Sequence, residues 1–318
     1  MVQQTEIVGE SIGQPRSERT QETAAADQRG RLRSTPGFYR RAWRRLRRDK
    51  VAMVSLGICV FILLFAFGAP VVSQITGHSY ERGDLRSNLL APGSDSYLLG
   101  TDASGRDILT RLAYGGRISL MVAWLSALVA LAVGGTVGSV AGYYGGFIDS
   151  VLMRFVDMII AIPGITLLLL LSTLWRPGPV GLALVIASLG WTGIARLVRG
   201  EVLSLKNRDY VDAARVVGAS NSRIIFRHIF PNVLSLIIVW ISLAIPGLII
   251  AEASLSYLGF GVRIPIPSWG NMLDEAKEFY RASWTYVFIP GLAIYITALA
   301  FNLLGNGLRD ALDPRLND

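Results

Sequence analysis

The chain has 318 residues, of which 52% are hydrophobic and only 17% are charged, and its formal net charge is +8. A soluble surface normally needs about a quarter of its residues charged, so this composition argues against a soluble domain and for lipid as the solvent. A single cysteine, Cys59, excludes an intrachain disulfide, and the two histidines lie too far apart to indicate a zinc site.

Six long segments without a charged residue indicate six membrane-spanning helices. These uncharged segments are residues 51–80, 118–148, 158–175, 177–195, 228–251 and 282–308. About 20 apolar residues are needed to cross the hydrocarbon core, and the runs are continuously apolar, which favours helices over alternating strands. The sequence therefore predicts an all-α membrane protein with spans at 51–72, 118–142, 155–175, 180–195, 232–250 and 285–304.

The N-terminal segment divides into two parts before the first span. Residues 1–36 are rich in Gln, Glu, Ser and Arg and predict a disordered cytoplasmic tail. Residues 37–50 place Phe38, Trp43 and Leu46 among arginines, which predicts a basic helix lying on the anionic inner leaflet. A nucleic-acid-binding arm is the rival interpretation of such a basic run, but its place directly before a span favours membrane lipid.

The distribution of Lys and Arg predicts the orientation. Residues 1–50 hold twelve and residues 196–227 hold seven, whereas the predicted external loops, 73–117 and 252–284, hold few. The positive-inside rule then places both termini and the 196–231 loop in the cytoplasm, in agreement with an even number of spans.

The first external loop and the third span carry candidate polar sites. Thr101, Asp102 and Ser104 are good helix starters, so a short helix is expected over residues 105–113. Asp102, Arg106 and Asp107 are expected to pair locally through the arginine, although docking of a substrate-delivery protein is an alternative role for the loop. Asp157 is a candidate pathway residue, because ionisable groups at membrane depth are often functional. An ion pair with Arg154, three residues earlier on the same helix, is the alternative explanation of a carboxylate at this position. Pro163-Gly164 predicts a kink.

The cytoplasmic segment 205–231 predicts a helical hairpin. Tyr210, Ala213, Ala214 and Val217 recur at helical spacing, and Asp212 can pair with Arg208 or Arg215. Gly218 can end this helix in the left-handed conformation and Ser220 can cap a second one. The hairpin either inserts into a groove on a partner or packs on its own spans, and periodicity alone leaves both open.

Residues 252–273 are too polar and too rich in Gly and Pro for a seventh span. A re-entrant or interfacial element on the outer side fits this composition. It can close a translocation path from outside, which makes Glu252, Tyr257 and Phe260 candidate gate residues. Glu252 is expected near the outer surface, and Trp269 is expected to anchor at the interface.

Transport against a gradient needs an energy source. The three lysines, Lys50, Lys206 and Lys277, do not fit a P-loop, which requires Gly-Lys followed by Ser or Thr. A proton-coupled carrier would typically carry several buried carboxylates or histidines, and the spans offer few. Both observations favour a subunit that depends on ATP hydrolysis in another chain.

Several motifs in order resemble the dipeptide, oligopeptide and nickel (OppC/DppC-like) branch of ABC importer permeases. Asp212-Ala213-Ala214, Gly218 and His228–Pro231 resemble the EAA loop of that family. In this chain Asp212, His228 and Phe230 replace the Glu, Ile and Leu of the family pattern. Supporting segments are Leu99–Asp102, Gly105–Asp107, Arg111, Gly115, Arg117–Leu120, Glu252–Gly261, Pro267–Gly270 and Leu304–Arg315, so the resemblance covers about residues 37–315.

The resemblance implies a type I ABC importer permease fold over residues 51–318 and a non-catalytic role in a bacterial plasma membrane. It implies four further subunits: a second permease of the OppB/DppB type, two ABC ATPases that bind ATP and Mg²⁺, and an external substrate-binding protein. It also implies ATPase coupling through Tyr210, Asp212, Ala213, Ala214, Gly218, Ala219, Ser220 and Arg223.

Three other functions stay open at this point. A nickel-chelate importer of the same branch fits the motifs, since a chelated metal needs no His or Cys cluster. A channel or secondary carrier would not co-purify with an ATPase. A membrane-bound enzyme ranks last, because no nucleophile–base pair or metal-binding constellation is evident.

Overall fold

The computed structural model describes residues 38–175 and 178–312, so the predicted tail (1–36) and the end of the C-terminal motif (residues 313–315) lie outside the described residues. Within these ranges the chain is helical, with two isolated β-bridges. The helices are α1 (Phe38–Leu46), α2 (Lys50–Phe67), α3 (Ala69–Thr76), α4 (Ile108–Tyr144), α5 (Gly146–Ile160), α6 (Gly164–Trp175), α7 (Pro179–Leu205), α8 (Asp209–Val216), α9 (Asn221–Tyr257), α10 (Trp269–Ala276) and α11 (Trp284–Leu312).

The expectation of six spans agrees with the helices. Five of them, α2, α4, α7, α9 and α11, are long and apolar enough to cross a membrane, and the bent pair α5–α6 brings the number to six if it is one span. The axes of α5 and α6 differ by 82°. Pro163 lacks a backbone N–H and disfavours helix in the residue before it, which explains the break. The predicted kink is confirmed, whereas the apolar helix begins at Gly146 rather than at residue 155.

The prediction of a separate short helix over residues 105–113 was wrong. Helix α4 starts at Ile108 and runs without interruption to Tyr144. Asp107 provides the cap by accepting a hydrogen bond from the Thr110 backbone N–H at 2.9 Å. The Gly115-Gly116 pair does not break the helix, because both glycines lie buried against Trp269 of α10.

Helices α4 and α7 form the most extensive helix pair of the bundle. Gly134, Gly138 and Gly142 face α7, where a Cβ on Gly138 would stand 2.4 Å from the carbonyl oxygen of Ala195. Small residues at this spacing allow two backbones to approach closely in a membrane. On the other side of α4, helix α9 packs on α11, and α11 packs on α2.

The basic segment forms helix α1, as predicted. Its Ala42 and Leu46 are buried, and Leu46 packs against Ala52 of α2 and Ala311 of α11. Trp43 is 45% exposed and lies under the guanidinium of Arg47. The apolar side of α1 therefore fastens it to the bundle, while Arg40, Arg41, Arg44, Arg47 and Arg48 stay exposed.

The ends of the bundle differ in structure. Residues 77–107, the loop after α9 and helix α10 form what we call the cap. The segment from α8 to residue 229 lies at the opposite end, because α7 and α9 lead away from the cap toward it. Helix α9 continues to Tyr257, so the non-helical part of the segment predicted at 252–273 begins only at Leu258.

Candidate functional site

The hairpin at the end opposite the cap is the first candidate site. Helix α8 buries Val211 completely against a cluster that includes Val202, Leu205 and Ile224. Ala214 and Ala219 pack partly against the same cluster. One face of α8 is therefore fixed on α7 and α9, which gives the hairpin a defined position relative to the spans.

The other face of the hairpin is exposed and apolar. Val216 and Val217 are 88% and 87% exposed, Phe226 is 72% exposed and Tyr210 is 42% exposed. Ala213 is exposed among them. We call these five residues the hairpin tip. Because a folded chain rarely leaves such large apolar side chains in water, the tip has the character of a contact surface.

The turn of the hairpin follows the local signals in the sequence. Gly218 has φ +82°, its N–H bonds to the Arg215 carbonyl at 2.9 Å, and the N–H of Ala219 bonds to the Ala214 carbonyl at 3.0 Å. This is a Schellman motif, which requires a left-handed residue and favours glycine. Ser220 then caps the next helix by accepting from the Arg223 N–H at 3.4 Å. Both predictions for the turn are confirmed.

The charged residues of the hairpin lie at its surface. Asp212 accepts from Arg215 at 2.7 Å, which confirms one of the two expected partners. Both side chains are about half exposed, so this ion pair contributes little to stability. Arg223 is also exposed. The hairpin thus offers an apolar tip bordered by charge.

Helix α9 connects the hairpin to the membrane without a break. Its first turns include a π-helical segment at Ile224–Ile229, just before Pro231. Ile224 and Ile229 are buried, and the Tyr143 hydroxyl donates to Asn221 at 2.7 Å. A force on the hairpin therefore acts directly on a helix of 37 residues that reaches the cap.

The candidate pathway residue Asp157 does not pair with Arg154, so that expectation was wrong. Asp157 accepts a hydrogen bond from Arg196 of α7, and each side chain is about half exposed. A second ion pair joins the same helices, since Arg199 donates to Asp149 at 2.6 Å. Sequence reasoning did not predict Arg196 and Arg199 as the partners, because i, i+3 spacing identifies neighbours on one helix only and these arginines lie on another.

The candidate gate residues separate into two environments. Glu252 is fully buried within the chain and accepts from Ser119 at 2.6 Å and from Ser256 at 2.7 Å. Tyr257 and Phe260 are 43% and 38% exposed at the cap. The structure therefore places Glu252 inside a junction between helices, away from any open surface, and leaves the two aromatic residues partly exposed at the cap.

A buried ion cluster in the cap was missed by sequence reasoning. Arg106 donates to Asp102 and to Glu275, at 2.6 Å each, and Arg111 forms a bidentate pair with Glu275 at 2.7 and 3.0 Å. Arg111 also contacts Asp102, which is fully buried. The local Asp102–Arg106 pair was expected. Asp107 was expected to pair locally too, but it caps α4. Nothing in the local pattern identifies Glu275, which lies 164 residues from Arg111.

Comparisons with known proteins agree with this architecture. Residues 134–318 match the family model described as "Binding-protein-dependent transport system inner membrane component". Residues 37–92 match the "N-terminal TM domain of oligopeptide transport permease C". The chain belongs to the family of binding-protein-dependent transport system inner membrane components. It is thus a multi-pass membrane permease subunit of an ABC importer.

Relatives with curated names are similar over most of the chain. The dipeptide transport system permease protein DppC of Bacillus subtilis (strain 168) is 41% identical over 89% of this chain and 88% of its own. The oligopeptide permease OppC of Haemophilus influenzae is 42% identical over 87% of this chain and 89% of its own. The glutathione permease GsiD of Pectobacterium atrosepticum is 42% identical over 87% of this chain and 91% of its own.

A solved structure supports the fold. The inward-facing MetNI methionine ABC transporter aligns with a TM-score of 0.53 and 18% identity, over 64% of this chain and 96% of that chain. At this identity the likeness concerns the fold alone. The all-α type I importer permease architecture that the sequence predicted is confirmed.

Proposed function

We propose that the chain imports peptides as one of two permease subunits driven by ATP hydrolysis in partner ATPases. The single observation that carries the coupling part of this proposal is the hairpin tip. Tyr210, Val216, Val217 and Phe226 expose apolar surface on an element fixed to α7 and α9. An ATPase groove that receives the tip then moves both helices together.

The coupling residues have distinct roles in this proposal. Tyr210 and Ala213 contact the ATPase, and Ala213 allows close approach because its side chain is small. Ala214, Gly218, Ala219 and Ser220 hold the turn in shape. Asp212 and Arg223, the remaining coupling residues, place charges beside the tip, and these charges select the partner. ATP and Mg²⁺ bind to the partner subunits, which hydrolyse the ATP, while this chain acts as the non-catalytic transmembrane subunit.

The orientation in the proposal places both termini and the hairpin in the cytoplasm. The exposed arginines of α1 support it, because they would face the anionic inner leaflet while Leu46 and Ala42 hold the helix on the bundle. The cap then faces outward, where a substrate-binding protein of the kind the family name implies delivers its cargo.

Peptides are the substrate class we propose. Relatives at about 40% identity are named for dipeptide, oligopeptide and glutathione transport, and all three substrates carry peptide bonds and a free carboxylate. The nickel-chelate alternative has no relative of that name among these three. Membership in a binding-protein-dependent family also argues against a stand-alone channel or a secondary carrier.

Reconstitution tests the proposal. The chain is co-expressed with its candidate second permease, ATPases and binding protein, purified, and assayed for ATP hydrolysis and uptake with tripeptides and with nickel chelates. We expect the ATPases to co-purify, and tripeptides to stimulate hydrolysis and enter proteoliposomes. Co-purification of no ATPase would overturn the coupling proposal, and stimulation by nickel chelates alone would overturn the substrate class.

A tip variant makes the test specific to the hairpin. Val217→Glu places a charge in the exposed apolar surface without touching the packed face, so we expect lost association with the ATPases and an unchanged melting temperature. Val216→Ala is the mild control, since it keeps the tip apolar. Normal coupling in Val217→Glu would argue against docking through the tip.

A further inference from the structure

A small cavity opens between the end of α6 and the loop that follows α9. Its volume is about 260 Å³, and it is lined by Ser172, Thr173, Gly259, Phe260, Gly261 and Arg263. We propose that this cavity binds the terminal carboxylate of a transported peptide at the cap end of the permease. The inference rests on the proposed peptide substrate and deepens it.

Arg263 provides the charge that a carboxylate requires. Its side chain is exposed and has no ion pair or hydrogen bond to any residue in the ranges the structure describes. No acidic residue occurs from residue 253 to 273, and none occurs from 158 to 175. The walls of the cavity therefore present an uncompensated guanidinium, which matches carboxylate geometry through two parallel N–H donors.

Ser172 is an independent sign of a ligand. The residue is 2% exposed, and its hydroxyl has no hydrogen-bond partner among the described residues. The adjacent Thr173 behaves normally, since its hydroxyl donates to the Leu169 carbonyl of its own helix at 2.8 Å. Buried polar groups nearly always find a partner, so the Ser172 hydroxyl is left to donate to a group that enters the cavity.

The loop that carries Arg263 is held in place by α9. Gly259 has φ +82°, and the N–H of Phe260 bonds to the Leu255 carbonyl at 2.9 Å. A Cβ on Gly261 would lie 2.0 Å from the Ser256 hydroxyl oxygen, so only glycine allows this approach. Val262, the residue before Arg263, is 5% exposed. The cavity is thus a preformed site.

The size of the cavity limits what it can hold. A volume of about 260 Å³ is below the roughly 300–1,000 Å³ of sites that enclose a drug-sized ligand. It accommodates a terminal carboxylate with part of its residue, while Phe260 at the rim contacts the neighbouring side chain. Recognition of a group that every peptide shares suits a transporter that accepts many sequences.

Thiol labelling tests the site without requiring transport. In a Cys59→Ala background, Thr173→Cys introduces a single thiol into the cavity of the assembled complex in nanodiscs and leaves the Ser172 hydroxyl and Arg263 in place. Methanethiosulfonate reagents that carry either a sulfonate or a trimethylammonium group then probe its charge. Each rate is divided by the rate of the same reagent with 2-mercaptoethanol, because the cationic reagent reacts intrinsically faster with thiolates. We expect this relative rate to be about tenfold higher for the anionic reagent, and Arg263→Gln to remove that preference. Arg281→Gln, which removes an equal charge from the segment between α10 and α11, is the matched control and should keep that preference.

Competition identifies the ligand. Trialanine should slow the anionic labelling several-fold, whereas trialanine amide should not, and Arg263→Gln should abolish the protection. Equal relative rates for the two reagents, or equal protection by acid and amide, would overturn the proposal. Protection by inorganic phosphate but not by trialanine would show a site for inorganic anions and overturn the peptide assignment.

Peptide import and the carboxylate site are tested by separate measurements, so one can be refuted while the other stands. Peptide uptake by the same complex, measured in proteoliposomes, tests the function. If uptake occurs but the labelling shows neither charge preference nor protection, the carboxylate site is wrong and peptide import stands.

Discussion

Ser119 of α4 donates a hydrogen bond of 2.6 Å to the fully buried carboxylate of Glu252 of α9. The same hydroxyl oxygen accepts from the backbone N–H of Trp269 at 3.2 Å, so one serine joins α4, α9 and α10. Gly270 packs beside this junction, because its Cβ position lies 2.6 Å from the Ala253 carbonyl oxygen. The junction therefore links the cap to the helix that carries the hairpin.

Ser119→Ala should destabilise the protein measurably. The substitution leaves a buried Glu252 oxygen and the Trp269 N–H without this partner, and an unsatisfied buried group costs about 1–3 kcal/mol. A lower melting temperature of the purified subunit or complex is the expected result. Ser242→Ala is the control, since that exposed hydroxyl only bonds to the Ile238 carbonyl of its own helix. Equal melting temperatures for the two variants would show that the junction is not stabilising.

The buried cap cluster predicts a larger effect. Glu275→Gln removes one of two carboxylates that face Arg106 and Arg111, and it leaves a buried positive charge without full compensation. Breaking a buried ion pair in this way costs about 3–5 kcal/mol. The comparison is with Asp212→Asn, which breaks the exposed pair with Arg215 and should cost under about 1 kcal/mol. Denaturation curves that rank the two variants in the opposite order would contradict this account.

The close contact between the glycines of α4 and the backbone of α7 gives a steric prediction. A Cβ at Gly138 meets the Ala195 carbonyl oxygen at 2.4 Å, whereas at Gly135 the nearest atom is a Leu131 methyl at 3.7 Å. Gly138→Ala should lower stability by about 1–3 kcal/mol through overpacking. Gly135→Ala should be neutral or slightly stabilising, because alanine favours helix. Thermal unfolding of the two variants measures the difference, and equal stability would show that α4 and α7 can separate at low cost.

Local signals in the sequence predicted the features that depend on a few neighbouring residues. The left-handed Gly218, the Ser220 cap and the kink at Pro163 each follow from backbone chemistry within one turn. Apolar run length predicted the six spans for the same reason. Such features need no knowledge of which helices are adjacent.

Contacts between distant segments could not be predicted in this way. Glu275 joins the cap cluster because α10 folds back over the start of α4, and Arg196 reaches Asp157 from a different helix. Both partners depend on the packing of the bundle, which periodicity does not specify. The orphaned hydroxyl of Ser172 is also invisible in the sequence, where a serine in an apolar helix normally bonds to its own backbone.

The turn of the hairpin provides the sharpest test of coupling. Apart from Gly218 and its two chain neighbours, no described residue has an atom within 4 Å of a Cβ on Gly218, so a substitution there acts through its φ of +82°. Gly218→Val places a β-branched residue in the left-handed region, at a cost of roughly 1–3 kcal/mol, and should distort the tip while the packed face around Val211 persists. Gly218→Asn is the control, since asparagine tolerates this conformation. We expect Gly218→Val to lose about tenfold in peptide uptake per ATP hydrolysed, because a distorted tip no longer transmits the movement of the ATPase, and Gly218→Asn to retain most of it. Normal uptake in Gly218→Val, measured together with hydrolysis in proteoliposomes, would rule out a hairpin that works as a rigid lever.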